Sequence, residues 1–135
     1  MPVFQSGEEV RHYVGRIFEE ALQDPVLRDG FAKSGVLLKL RFDQPDAMML
    51  VDMVNGEVRY EDDDRKPTVE IRASADVGHR FWLGKINIAL ALARGEMRAK
   101  GPIDKIIRLL PLTKTLFPRY RDILVSSGRA DLAES

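Results

Sequence analysis

The chain has 135 residues, with 21 acidic and 21 basic side chains and no cysteine. Its length fits a single domain, and its balanced charge gives it no global attraction to nucleic acid. The absence of cysteine excludes disulfides, thiolate nucleophiles and cysteine-bound zinc. Because the N-terminus carries no signal-peptide pattern, we expect a cytoplasmic protein.

Two helices are predicted before any strand. Ser6 and Glu9 have the spacing of a capping box, and the apolar residues that follow recur at helical intervals, which predicts a helix over about residues 7–22. Asp24 followed by Pro25 predicts a second, short helix, because proline is favoured at the first helical position.

A meander of three strands is predicted next. Leu38, Leu40 and Phe42 alternate with polar residues, which indicates a strand with one buried face. A second strand follows over residues 48–54, and the pair Asn55-Gly56 is a two-residue hairpin signal that leads into a third strand. Two further alternating segments complete a sheet of five strands; these are residues 68–73 and 96–100.

The segment between the last two strands is the most informative apolar stretch of the chain. Ser74 is a good cap for a helix there, and residues 82–95 are apolar on nearly every side. Such a segment must be enclosed, either as a core helix or as the wall of a cavity, and it is too short to cross a bilayer. We expect Ile86 and Leu90 to face open or ligand-filled space, and the three alanines of this segment to pack closely against neighbouring elements; these are Ala89, Ala91 and Ala93.

One or two amphipathic helices are predicted after Pro102, bent at Pro111 and Pro118. Residues 1–128 are expected to form one domain, and residues 129–135 a disordered tail. A basic amphipathic helix can touch anionic lipid, although a covering helix with a solvated charged face would have the same pattern. The basic residues concerned are Lys105, Arg108, Lys114, Arg119 and Arg121.

No catalytic residue, metal site or cofactor site is predicted. His79 and Asp76 have a spacing that permits contact, but no nucleophile or ligand set accompanies them, so we interpret them as a surface pair on a helix. The acidic residues 61–64 lack the pattern of a calcium loop, and no phosphate-binding or dinucleotide motif occurs. The chain is therefore not expected to be an enzyme.

The order of elements and five short motifs resemble the sterol carrier protein 2 (SCP-2) family over about residues 20–112. The motifs are FAKSG at 31–35, NG at 55–56, VEIRASAD at 69–76, LGKIN at 83–87 and RGEMRAKG at 94–101. The resemblance implies an α+β fold, with a five-stranded, largely antiparallel sheet covered on one face by helices. It also implies an internal apolar cavity for sterols, fatty acids or other lipids, and binding rather than catalysis.

Some positions depart from the pattern of this family. Met48, Met49 and Leu50 stand where many members have an aromatic residue, Ile88 replaces a common proline, and an aliphatic residue replaces a phenylalanine at Leu90 or Leu92. At these positions we therefore expect aliphatic side chains in the cavity wall. The expected ligand-binding residues are Leu38, Leu40, Phe42, Met49, Val51, Met53, Phe81, Trp82, Ile86, Leu90 and Met97 in the walls, with Leu110, Leu116 and Phe117 as a lid.

Three functions fit these observations. The preferred one is non-enzymatic binding or transfer of a lipid or another hydrophobic small molecule, such as a fatty acid, a sterol-like compound or an isoprenoid. The second is a protein-interaction module, in which the same apolar groove accepts a partner helix or makes a homodimer. The third is an accessory factor that presents a lipid or quinone intermediate to biosynthetic enzymes at a membrane.

Overall fold

The structure is a computed structural model that describes residues 2–134. The chain begins with one continuous helical stretch, made of α1 (Gly7–Val10), a π-helical segment (Arg11–Gly15) and α2 (Arg16–Gln23), and continues with α3 (Pro25–Ala32). The side-chain oxygens of Ser6, a predicted cap residue, and of Asp24 accept backbone N–H groups at the starts of α1 and α3. The two predicted helices are thus confirmed.

The sheet contains β1 (Leu37–Asp43), β2 (Ala47–Asp52), β3 (Glu57–Arg59), β4 (Val69–Ser74) and β5 (Met97–Lys100). Its strand order is β3-β2-β1-β4-β5, and β1 pairs with β4 in parallel while the other three pairings are antiparallel. The predicted five-stranded, largely antiparallel sheet is confirmed. The parallel pair arises because the loop after β3 carries the chain past β2 and β1, so β4 runs in the same direction as β1.

The turn between β2 and β3 differs from the prediction. Asp52 pairs with Glu57, so the loop contains four residues, and the expected two-residue hairpin at Asn55-Gly56 is wrong. The carboxylate of Asp52 accepts the backbone N–H of Asn55 at 3.0 Å and its side-chain amide at 2.8 Å. These two bonds stabilise a wider turn than the dipeptide alone favours.

Six helices complete the described part of the chain: α4 (Ala75–Trp82), α5 (Ile88–Ala93), α6 (Ile103–Ile107), α7 (Leu110–Lys114), α8 (Phe117–Ser126) and α9 (Ala130–Ala133). The region after Pro102 therefore divides into more helices than the one or two predicted. Pro111 and Pro118 lie in the first turns of α7 and α8, where the helix needs no proline N–H. Each proline starts a new helix instead of bending a longer one.

The two faces of the sheet have different chemistry. The inner face packs apolar side chains against the helices, as the predicted alternation requires. The outer face carries charged side chains that meet the acidic loop: Lys39 pairs with Asp62 at 2.9 Å, and Arg65 pairs with the buried Asp52 at 2.6 Å. In this loop, Asp62 pairs with Lys39 and Asp63 pairs with Arg65. No group of three or more metal-ligating side chains occurs within residues 2–134.

The C-terminal residues pack against the domain. Leu132 and Ala133 are buried, and Arg129 forms an ion pair with Glu9 at 3.0 Å. The prediction of a disordered tail over residues 129–135 is wrong for α9, and Ser135 lies outside the described residues. In the part of the chain that the structure describes, no helix has the length and apolar character needed to span a membrane.

Candidate functional site

An apolar cavity of about 80 Å³ lies between the inner face of the sheet and the helices. Its walls come from the sheet, from the aromatic residues of α2, α3 and α4, and from the short helices near the C-terminus. The lining residues are Phe18, Phe31, Leu38, Leu40, Phe42, Met53, Ile71, Ala73, Gly78, Phe81, Trp82, Ile88, Met97, Ile106, Leu109, Leu110 and Thr113.

Small residues create the space at the centre of this cavity. Ala73 lies in register between Phe42 on β1 and Met97 on β5, so a methyl group stands between two large side chains. Gly78 on α4 lies close to the same ring, because a Cβ at this position would be 2.6 Å from Cε1 of Phe42. Gly78 thus allows the Phe42 ring to pack directly against α4, and Ala73 keeps the position between Phe42 and Met97 free of a large side chain.

The cavity wall is aromatic as well as aliphatic. The ring of Trp82 meets the rings of Phe18 and Phe81 edge to face, with centroids 5.2 Å apart in each pair. Phe31 and Phe42 also line the space. Phe42, Phe81 and Trp82 were among the expected wall residues, whereas Phe18 and Phe31 add aromatic surface that was not expected.

Eight of the fourteen predicted ligand-binding residues line the cavity: Leu38, Leu40, Phe42, Met53, Phe81, Trp82, Met97 and Leu110. The other six do not. Met49 and Leu116 are buried in the core, and Val51 borders a separate void of about 10 Å³. Ile86 and Phe117 line a neighbouring groove, while Leu90 is 51% exposed. The binding role of the first eight remains a prediction.

The apolar segment 82–95 differs from expectation in its helical phase. It contains the end of α4, a loop and the short helix α5, which begins when Asn87 accepts the N–H of Leu90 at 3.1 Å. This start places Ile88 and Ala91 toward the interior and Leu90 toward solvent. Ile86 was expected to face open space and lines the neighbouring groove, whereas Leu90 faces solvent; the residue of this segment that borders the cavity is Ile88.

Several lining residues were not among the predicted site residues. Ile71 and Ala73 follow from the alternation of the fourth strand, so the sequence carried a signal for them. Phe18 and Phe31 belong to helices that precede the sheet, and nothing in their local pattern distinguishes a cavity wall from ordinary core. The remaining members of this set are Gly78, Ile88, Ile106, Leu109 and Thr113.

The cavity offers almost no polar group to a ligand. Thr113 carries the only hydroxyl, amine, amide or carboxylate side chain among the lining residues in the described chain, and its Oγ1 already donates to the carbonyl of Leu110 at 2.9 Å. An apolar cavity of this kind stays dry and accepts apolar groups. Whatever occupies it must present hydrocarbon.

Comparison with known proteins identifies the architecture. No protein-family model and no curated protein matches the sequence. Among solved structures, sterol carrier protein 2 from Yarrowia lipolytica in its apo form aligns with a TM-score of 0.66 and 15% identity over 84% of this chain and 96% of that one. The sterol carrier protein domain 2 of Helicoverpa armigera aligns with a TM-score of 0.64 and 18% identity, over 78% and 86% of the two chains.

The chain has an SCP-2-like fold. A third structure with this fold, sterol carrier protein 2 from Aedes aegypti in complex with the C16 fatty acid palmitate, aligns with a TM-score of 0.61 and 18% identity. That alignment covers 82% of this chain and 96% of the mosquito protein. The helices of the SCP-2-like fold enclose the cavity described above against one face of the sheet.

His79 lies inside the SCP-2-like domain and not on its surface. It is 0% exposed; its Nδ1 lies 2.8 Å from the hydroxyl of Tyr120, and its Nε2 lies 2.9 Å from the carbonyl oxygen of Leu132. Asp76 instead accepts the backbone N–H of Val3 at 3.0 Å. The predicted surface pair is therefore wrong. Burial lowers the pKa of His79, so the neutral form of the imidazole is favoured. Its two ring nitrogens connect α4 with α8 and α9.

The terminal cations of the SCP-2-like domain have different roles. Arg119 pairs with Asp24 at 3.5 Å, and Arg121 donates to the carbonyl oxygen of Ala133 at 2.9 Å. Arg108 pairs with an aspartate on its own helix. Lys105 and Lys114 form no ion pair within residues 2–134, so they are the members of the basic set best placed to meet an external anion.

Proposed function

We propose that this protein binds a lipid or another hydrophobic small molecule in the apolar cavity and releases it chemically unchanged. The observation that carries this proposal is the lining of the cavity, in which apolar side chains and the indole of Trp82 surround a single hydroxyl that already donates a hydrogen bond. The SCP-2-like fold supports it, because one protein with this fold is known in complex with palmitate. Fatty acids, sterol-like compounds and isoprenoids all present the required apolar surface.

The hydrophobic effect supplies enough free energy for such binding. An acyl chain that removes about 300 Å² of apolar surface from water gains roughly 7 kcal/mol before the entropic cost of association, at about 25 cal/mol per Å². Micromolar affinity therefore requires no polar anchor inside the cavity. The proposed contacts are the eight predicted residues that line the cavity together with the rings of Phe18 and Phe31.

Binding also requires the cavity to widen. Its volume of about 80 Å³ is well below the roughly 300 Å³ of a pocket for a drug-sized ligand. Helices α6 and α7 cover one side, and within the described residues no side-chain hydrogen bond or ion pair connects them to the rest of the fold. The tertiary contacts of these helices through side chains are therefore apolar, and the hydrocarbon of a ligand can replace such contacts when the helices move outward.

Native mass spectrometry of the purified protein tests the proposal. We expect co-purified lipid, or added fatty acid, sterol or quinone, to appear as a stoichiometric mass shift. A ligand at 100 times its Kd should stabilise the folded state by about 2.7 kcal/mol. A protein that carries no lipid, and whose stability none of these compounds raises, would contradict it.

We further propose that the exposed apolar residues Ile107 and Leu90, with nearby lysines, make transient contact with anionic membranes. Ile107 is 44% exposed beside the groove and Leu90 is 51% exposed on α5, while Lys105 and Lys114 supply positive charge nearby in the chain. Apolar side chains beside lysines are typical of membrane-surface contacts.

Leu90→Asp should weaken flotation with phosphatidylserine vesicles, whereas Val54→Asp, at an exposed turn of the sheet, should not. Equal loss in both variants would contradict the proposal, and a dimer in light scattering that Leu90→Asp dissociates and Val54→Asp does not would assign this face to a second copy of the chain.

A further inference from the structure

A second depression adjoins the apolar cavity. This groove has a volume of about 440 Å³ and lies between the loop after α4 and the helices α6 to α8. Phe81, Ile88 and Leu110 line both the groove and the cavity. These three side chains therefore form the partition between the cavity and the groove.

The groove differs from the cavity in its charge. Lys85 and Lys114 line it, and no aspartate or glutamate is among its described lining residues. Neither lysine forms an ion pair with another described residue. The chain as a whole has a formal net charge of zero, so this local excess of two positive charges is not a consequence of composition.

Local structure explains why Lys85 lies in the groove. Gly84 ends α4 with a φ of +79°, which brings the N–H of Lys85 to 2.9 Å from the carbonyl oxygen of Arg80. Asn87 caps α5 two residues later. The Lys85 side chain takes part in neither the helix end nor the cap, so its ammonium group is available to a ligand.

The same glycine brings the loop close to α8. A Cβ at Gly84 would lie 3.2 Å from Cδ2 of Phe117, so a side chain there would crowd this ring. Close approach of the loop and Phe117 places Lys85 in the same groove as Lys114, the last residue of α7. Two lysines thus line one groove, which the partition separates from the cavity.

We propose that this groove is the headgroup site of the ligand, and that the ligand is an amphiphile with one anionic headgroup, a carboxylate or a phosphate. This inference rests on the proposed function, because it assumes that the apolar end of the same ligand occupies the cavity. The hydrocarbon passes between Phe81, Ile88 and Leu110, and the headgroup meets Lys85 and Lys114. Ammonium groups form charge-assisted hydrogen bonds with either anion, which a neutral alcohol cannot match.

The test compares ligands that have the same chain and different headgroups. Dodecanoate, dodecyl phosphate and 1-dodecanol are titrated at pH 8 against the wild type, the double variant Lys85→Gln/Lys114→Gln and the control Lys33→Gln/Lys66→Gln. The control removes two exposed lysines outside the groove, so the change in net charge is matched. Binding is followed by the fluorescence of Trp82, the only tryptophan of the chain.

We expect both anions to bind the wild type about tenfold more tightly than the alcohol, and the groove variant to lose about tenfold for the anions but less than twofold for the alcohol. The control should retain all three affinities. A preference for one anion identifies the headgroup. Equal affinity of anions and alcohol for the wild type, or equal loss of all three in the groove variant, overturns the headgroup site and leaves the proposed function standing. Failure of all three to bind overturns both.

Discussion

Filling the cavity should stabilise the free protein and abolish ligand binding at the same time. The substitution Ala73→Leu adds three carbons at the position between Phe42 and Met97. Burial of these carbons gains roughly 2.4 kcal/mol at about 0.8 kcal/mol each. Filling an 80 Å³ cavity at about 24 cal/mol per Å³ gives about 2 kcal/mol. After about 0.5–1 kcal/mol for the lost rotamer freedom of leucine, a net gain of about 1–2 kcal/mol is expected.

Urea unfolding followed by Trp82 fluorescence, with and without dodecanoate, measures both effects. The wild type should gain stability from the ligand, whereas Ala73→Leu should be more stable without it and gain nothing further. The matched control is Ala75→Leu, because Ala75 is fully buried but does not line the cavity. Overpacking there should cost about 1–3 kcal/mol while the response to ligand is kept.

Two results would refute this reasoning. If Ala73→Leu is destabilised as much as Ala75→Leu, the space beside Phe42 is not large enough to receive a side chain. If Ala73→Leu responds to dodecanoate like the wild type, the ligand binds elsewhere. The second result would reject the cavity as the binding site even if the protein does bind lipid.

Three further predictions concern stability. The lowered pKa of His79 means that only the unfolded state binds a proton at this imidazole just below about pH 6.5, so the free energy of unfolding should fall with decreasing pH by up to about 1.4 kcal/mol per pH unit. His79→Gln should remove this slope, whereas His12→Gln should keep it. The same slope in both variants would contradict the assignment to His79. Ending the chain after Gly128 should cost at least about 2 kcal/mol in urea unfolding, because the buried Leu132 is lost, whereas an unchanged midpoint would mean that the tail is disordered. Asn87→Ala should lower the free energy of unfolding by about 1 kcal/mol, because α5 loses its cap, and Asn87→Asp should lower it much less. Calorimetry that finds no difference between the two variants would argue against the cap.

Local signals in the sequence predict most of the elements. Ser6 and Ser74 were predicted as caps and Asp24-Pro25 as a helix start, and the side chains of Ser6, Asp24 and Ser74 each accept backbone N–H groups at the start of a helix. The period of two along the strands correctly assigns the inner face of the sheet. These features depend on residues within a few positions of one another, which is why sequence alone is sufficient for them.

Features that depend on distant contacts were not predictable in this way. The parallel pairing of β1 with β4 joins strands separated by the whole β2–β3 hairpin. The aromatic wall brings Phe18 of α2 against Trp82 of α4, and the burial of His79 depends on Tyr120 of α8. Seven of the seventeen lining residues therefore lie in or beside helices and were not predicted, because their own sequence neighbourhood indicates only a helix.

The phase of α5 shows how a small local difference changes the site. Ile86, Ile88 and Leu90 are equally apolar, so composition cannot say which of them faces inward. The cap at Asn87 sets the first turn, and that turn selects Ile88 for the partition between cavity and groove. Prediction of the site required the helix start to within one residue, which is finer than periodicity provides.

The crossover after β3 also determines where this chain can be divided. Residues 2–59 contribute three strands and residues 69–134 contribute two, and the halves meet along six paired positions of β1 and β4 at the middle of the sheet. Glu61, Asp64 and Lys66 in the connecting loop are exposed. A protease that cuts there severs the covalent link and leaves the central pairing intact, so the two fragments can remain associated as a split protein. New chain ends placed in this loop would likewise give a circular permutant in which the strands that bracket the cavity are still adjacent.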